Sequence, residues 1–273
     1  MDELYEIAEA LLPGVRLDGA RVAEDGNIHD VLLVPGVAAV RVSRRPLAAA
    51  SMPRRVAVLR VLGSMGLPFA VPVPLTPVTA FGDRAAVAVS WVDGSPLAEG
   101  EGTPGQVAEV LRAVREVPLT SELLAVLDQR AQGPSWSDLL VSDVLSRLPE
   151  RWLPVVRESL DALLAIEPVP DTLVHGDLGA SNVHWSSIGD LVGVVDWDLA
   201  MPGDPAIDTA LMAYHGWDTV RQAVSPEEFV RARAWDAVVG VEHLVALMNG
   251  RPLTSPDGFV RAVVAWLERP SSR

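Results

Sequence analysis

Apolar residues recur at helical spacing over residues 2–12, where Leu4, Ile7, Ala8 and Leu11 share one face. The period then changes. Val31–Val34 and Ala38–Val42 are short β-rich runs, and Pro35-Gly36 between them is a turn signal, so a hairpin is predicted. Residues 52–65 return to helical spacing, with Val56, Leu59 and Leu62 on one face and Pro53 suited to a first helical turn. Proline-punctuated strands are expected over Val71–Val78 and Ala85–Val92, the second ending at Asp93-Gly94.

Beyond Gly94 the pattern is mostly helical. Thr103-Pro104 supplies an N-cap and a first-turn proline for a helix over 104–117. Further helices are expected over 120–131, 136–148, 152–166, 206–215, 226–249 and 256–268, interrupted by a β-rich island at 172–197. The expected fold is therefore α+β and two-lobed: a β-rich N-terminal lobe over residues 1–92 and a mainly helical C-terminal lobe over 93–273.

Charge is divided the same way. Residues 1–92 carry nine acids and nine arginines, whereas residues 93–273 carry 27 acids and 13 arginines, the whole source of the net −14. An acidic second lobe disfavours nucleic acid and anionic membranes as partners. The N-terminal stretch is acidic, without the basic-then-apolar layout of a signal peptide, and no run of apolar residues is long enough to span a bilayer, so a cytoplasmic protein is expected. With no cysteine, thiolate catalysis, disulfides and cysteine-ligated metals are excluded. The chain also has no lysine, which rules out Schiff-base chemistry and a Walker-type phosphate lysine.

The island holds the candidate chemistry. It runs Leu173-Val174-His175-Gly176-Asp177, then a polar loop to Asn182, then Leu191–Val195 leading into Asp196. Phosphoryl transfer requires a carboxylate at the acceptor hydroxyl, with an amide and a second carboxylate on metal ions. Asp177 precedes Asn182 by five residues, the spacing of the kinase H-R-D-x-x-x-x-N loop, and Asp196 follows on a strand end. A metallohydrolase built on His175, Asp177, His184 and Asp196 is an alternative reading of the same residues.

Residues 173–208 resemble the core motifs of the aminoglycoside phosphotransferase family, the kinase-like antibiotic phosphotransferases. His175-Gly176-Asp177 is similar to that family's H-G-D loop, Val195-Asp196-Trp197 to its (I/V)-D-W metal motif, and Gly203-Asp204-Pro205 with Asp208 to its G-D-P-x-x-D segment. The resemblance implies a protein-kinase-like fold and a small-molecule kinase taking ATP or GTP with Mg2+. Asp177, with His175 beside it, would be catalytic; Asn182 and Asp196 would hold magnesium; Asp208 would brace the loop. Residues 87–94 resemble the hinge between lobes, where backbone groups at Ser90 and Val92 would meet the nucleotide base. Gly26 and Asn27 lie where a phosphate-covering loop would be, although an ordinary turn fits them equally.

One departure from the pattern is marked. Kinases grip the nucleotide phosphates with a strand lysine paired to a helix glutamate. Here the strand offers Arg41, which can bind phosphate bidentately. Residues 31–82 contain six arginines and no acid, so the usual partner cannot come from this stretch, and Arg55 or Val56 stands where the glutamate is expected. Arg41 is assigned to the phosphates and most of the other arginines to the surface. A pseudokinase or ligand-binding module with the same fold is the alternative that this gap motivates. The acidic lobe suits a cationic, hydroxyl-bearing acceptor such as an aminoglycoside, an amino-sugar macrolide or a basic peptide antibiotic. Asp198, Trp217, Glu227 and Asp236 are its candidate contacts, with Trp235, Glu228 and Glu242 as further possibilities.

Overall fold

A computed structural model describes residues 2–23, 28–127 and 150–248. Gly26, Asn27 and the helices expected over 136–148 and 256–268 lie outside the described residues. The chain separates into two compact units: Met1–Ala98 with Val117–Leu127 and Gly179–Ala200, and Glu99–Glu116 with Asp128–Leu178 and Met201–Arg273. The segment 179–200, assigned from sequence to the C-terminal lobe, thus groups with the N-terminal sheet.

The first unit is built on a five-stranded antiparallel sheet in the order β1-β2-β3-β5-β4, made of Arg21–Val22, His29–Val34, Ala38–Ser43, Thr79–Phe81 (β4) and Arg84–Ser90 (β5). Pro35-Gly36 turns β2 into β3, in register Val34↔Ala38 to His29↔Ser43. Side-chain alternation divides the sheet into two faces. Leu32, Val34, Val40, Val42, Ala86 and Ala88 pack with Leu4, Ile7, Ala8 and Leu11 of helix α1 (Asp2–Leu11). Arg41 and Val87, paired across β3 and β5, therefore point to the opposite face, which is covered by helix α2 (Pro46–Ser64).

Two strand and helix expectations are corrected. Helix α2 begins at Pro46 rather than near 52, and Pro53 lies inside it. An interior proline costs about 3 kcal/mol. Burial of Ala48, Met52, Val56, Val58, Leu59, Val61 and Leu62 offsets that cost. The expected strand over 71–78 is absent as a strand; it contributes the isolated bridge Pro74↔Val89, and the strand beside β5 is Thr79–Phe81. Prolines in this stretch remove the donors a continuous ladder needs.

A hairpin of β7 (Val183–Trp185) and β8 (Leu191–Val194) completes this unit. It is joined to the sheet's end by the pair Ser95↔Trp185 and by Ala70↔Gly193. Gly94 makes the first junction possible: its φ is +83°, and a Cβ there would lie 2.7 Å from the Trp185 carbonyl oxygen. Helix α4 (Ser121–Val126), capped by the Thr120 hydroxyl, packs on α2.

The second unit is mainly helical. Helix α3 (Pro104–Arg115) opens with a reciprocal capping box between Thr103 and Gln106, as its Thr-Pro start predicts. It is followed by α5 (Leu153–Leu164), α6 (Ala206–Leu211), α7 (Trp217–Ala223) and α8 (Pro226–Met248). A two-stranded ladder of β6 (Thr172–Val174) and β9 (Met201–Gly203) sits in their midst. Leu163, Val174, Met201, Ala206, Ile207, Ala210, Ala232, Trp235 and Val238 form the core. No described helix is long and apolar enough to cross a membrane.

Candidate active site

Strand β6 ends at Val174 and delivers the loop His175-Gly176-Asp177. A strand end leaves backbone amides without ladder partners, and burial makes that costly unless acceptors are supplied. Asp208, on α6, supplies them: its Oδ2 accepts the His175 N–H at 2.8 Å and its Oδ1 the Gly176 N–H at 3.0 Å. Burial pushes the Asp208 carboxyl up to about 7 against the pull of those two amides. His175 is fully buried, and its Nδ1 accepts the Asp177 N–H at 3.2 Å. His175, expected among the catalytic residues, is thus a clamp inside the loop. Asp177 is part-exposed at the loop's end.

Asp204 anchors the start of the next helix. It accepts the Ala206 N–H and the Trp235 indole N–H, each at 2.9 Å, and pairs with Arg231. Trp235 is therefore a core residue. Glu228 accepts the Thr209 hydroxyl at 2.6 Å and both terminal nitrogens of Arg115. Trp217 lies edge-on to Phe229 and carries the Arg233 guanidinium 4.4 Å above its ring, so that face is occupied by a protein cation. Glu227 is exposed in the first turn of α8, and Asp236 is half-buried on the same helix. The Glu242 side chain is outside the described residues.

In the first unit, the β7–β8 hairpin brings Asn182 and Asp196 to one end. Val183 and Val194 are paired, and the Val195 N–H donates to the Asn182 carbonyl at 2.8 Å. Asp196 is the only non-glycine residue with positive φ among the described residues, at 61°. Such a backbone is unfavourable, although aspartate tolerates it better than most residues, and its occurrence in a solvent-reaching carboxylate suggests a functional constraint. Amide and carboxylate oxygens are hard donors of the type Mg2+ prefers. A cation already sits at this carboxylate: Arg41 Nη2 lies 3.0 Å from Asp196 Oδ1.

The acid missing from residues 31–82 is Asp198. Its Oδ2 accepts from Arg41 Nη2 and from Arg55 Nη1, each at 2.8 Å. Burial alone would raise its pKa, but the Arg41 and Arg55 charges hold the carboxyl down at about 2. Arg41 Nη2 also faces His29 Nδ1 at 3.2 Å. The same His29 Nδ1 lies 3.5 Å from Asp198 Oδ2. Trp197 fixes the segment, its indole N–H bonded to the Val194 carbonyl and its ring stacked on Phe69. The expectation that Asp198 contacts the acceptor is corrected: its side chain is 5 % exposed and spent on two arginines. Arg55, on α2, is buried, unlike the surface position expected for most arginines other than Arg41. Arg55 was noted from sequence only as standing where the glutamate is expected, and His29 was not singled out; the acid-free arginine run was the signal that a partner for Arg41 had to come from elsewhere.

At the expected hinge, the Ser90 N–H donates to the Val73 carbonyl at 2.8 Å, and the Val92 carbonyl accepts from His184 Nδ1 at 3.3 Å. Those two backbone groups are engaged within the protein. His184 thus braces the segment expected as the hinge, and no group of three or more metal-binding His, Asp or Glu residues is gathered among the described residues.

Comparison with known proteins places these observations in one group. The model of the phosphotransferase enzyme family matches residues 20–240. Viomycin phosphotransferase of Streptomyces vinaceus is 31% identical over 221 residues, covering 75% of this chain and 76% of that protein. Among solved structures, a GDP and kanamycin complex of an APH(2") enzyme matches with TM-score 0.77 at 15% identity, covering 98% of both chains. Macrolide 2'-phosphotransferase from Brachybacterium faecium matches with TM-score 0.71 at 20% identity over the whole of both chains.

Proposed function

Since the chain belongs to the phosphotransferase enzyme family, we propose that it transfers the γ-phosphoryl group of ATP or GTP to a hydroxyl of a cationic antibiotic. The observation that carries this reading is the loop ending in Asp177, held by Asp208 through the His175 and Gly176 amides. Relatives of similar fold have been solved with GDP and with ADP, and named relatives act on viomycin, macrolides and aminoglycosides.

In this reading Asp177 accepts a hydrogen bond from the acceptor hydroxyl and takes its proton late, as the bond to phosphorus forms. The transition state is loose, so orientation contributes more than basicity. Arg41 binds phosphate oxygens with donors not used on Asp198. Magnesium held by Asn182 and Asp196 would neutralise charge on the phosphates and the leaving group. The negative excess in residues 93–273 attracts a cationic acceptor, and Glu227, Asp236 and Glu242 are its remaining acidic candidates. Trp217 would require Arg233 to move before a ligand ring could stack on it.

The test is Mg-dependent ADP or GDP release with ATP or GTP, across a panel of aminoglycosides, macrolides and basic peptides, beside Asp177→Ala. Acceptor-dependent turnover lost in that variant supports the kinase. Nucleotide binding without turnover by any acceptor favours the binding-module reading.

A further inference from the structure

Arg41 on the sheet and Arg55 on the helix that covers it are unstable company unless an anion lies between them. Arg41 points to the α2 face of the sheet, and Arg55 points toward it from α2. Isolated from water, such cations carry a desolvation cost that only close counter-charge and hydrogen bonds offset. Asp198 lies between them and binds both through Oδ2, and all three side chains are at most 13 % exposed. Helix α2, which in a kinase would hold the acid, here holds a base, and the acid comes from the turn directly after the metal-motif strand.

We propose that Asp198 is the positioning residue for nucleotide binding, holding Arg41 so that its unused donors face the phosphates, with Arg55 fixing Asp198 from the helix side. This rests on the assignment of Arg41 to the phosphates made above. A guanidinium on a three-carbon stem has many rotamers, and a phosphate grip requires one of them. The Arg41–Asp198 bond selects it. Asp198 itself cannot move toward another rotamer without leaving Arg55, and Trp197 holds its backbone by the bond to Val194 and the stack on Phe69. Strand, helix and metal-motif segment thus meet at one carboxylate, so the phosphate grip and the metal carboxylate two residues away share a support.

The experiment is titration of the full chain with ADP and with GDP in magnesium buffer, with thermal melting run on the same proteins. Asp198→Asn should weaken nucleotide binding on the order of tenfold, about 1.4 kcal/mol, and lower the melting temperature. The nucleotide KM should rise with it, while kcat changes much less. Asp198→Asn combined with Arg55→Met removes one of the two facing cations and should recover most of the melting temperature without recovering affinity. If that double variant regains both, Asp198 only balances charge in the core and the proposal is overturned. Arg41→Gln separates the two levels of the argument. If it leaves affinity unchanged, Arg41 does not grip the phosphates, and both the assignment and the proposal fail. If it weakens binding while Asp198→Asn does not, only the proposal fails.

Discussion

The Arg41 guanidinium and the Asp196 carboxylate are bonded at 3.0 Å, so the residue assigned to the phosphates neutralises the residue assigned to the metal. A divalent ion and this guanidinium compete for the same carboxylate charge. Arg41→Gln should therefore raise the affinity of nucleotide-free protein for Mn2+ severalfold, as read by calorimetry or by loss of the free-ion EPR signal. Equal Mn2+ affinity in the two proteins would show that Arg41 does not shield Asp196.

Asp177 should separate chemistry from binding. Asp177→Asn keeps the shape of the side chain but removes the proton acceptor, and positioned acid–base groups contribute roughly 10²–10⁴-fold. We expect kcat to fall within that range while the dissociation constant for ADP or GDP stays within about twofold, because the arginine cluster is untouched. A variant that turns over normally would remove Asp177 from the reaction.

Asp208 should matter to the loop and not to the nucleotide. Asp208→Asn sets an amide NH2 against one of the two backbone N–H groups that the carboxylate now accepts. Losing a buried acceptor costs about 1–3 kcal/mol. The expected result is a lower melting temperature and a reduced kcat with unchanged ADP affinity. Wild-type kcat with a lowered melting temperature would confine Asp208 to stability.

The same carboxyl gives a pH dependence with a definite sign. Its folded pKa, at about 7, lies above the ordinary carboxylate value, so the fold binds that proton more tightly than the unfolded chain does. Its contribution to stability is thus present at low pH and lost as pH rises through about 7. Denaturant melts between pH 5 and 8 should show wild type losing stability relative to Asp208→Asn. A constant difference would mean that Asp208 does not titrate there.

Gly94 should tolerate no side chain. Its positive φ and the 2.7 Å approach to the Trp185 carbonyl act together, and forcing a residue into such a conformation costs about 1–3 kcal/mol. Gly94→Ala should unfold at lower urea, and an unchanged midpoint would show that the junction can shift to make room.

The hairpin after Val31 and the capped helix at Thr103 were readable because each is encoded locally, in turn residues or a cap. Helix α2 was not, because its start at Pro46 and its passage through Pro53 are decided by packing on the sheet. The role of Asp198 was hidden for a related reason. Its partners stand 157 and 143 residues away in sequence, and nothing near Asp198 announces a buried arginine. The absence of any acid between residues 31 and 82 did state that a partner had to come from elsewhere. It did not state from where.

The assignment of Arg41 to the phosphates in a chain with no lysine has a practical side. Reagents that tag kinases by acylating a side-chain amine beside the bound triphosphate have no such nucleophile here, since a guanidinium held between two carboxylates stays protonated and unreactive. An enzyme of this design escapes surveys built on that chemistry. A covalent inhibitor for it would have to be aimed at some other kind of atom.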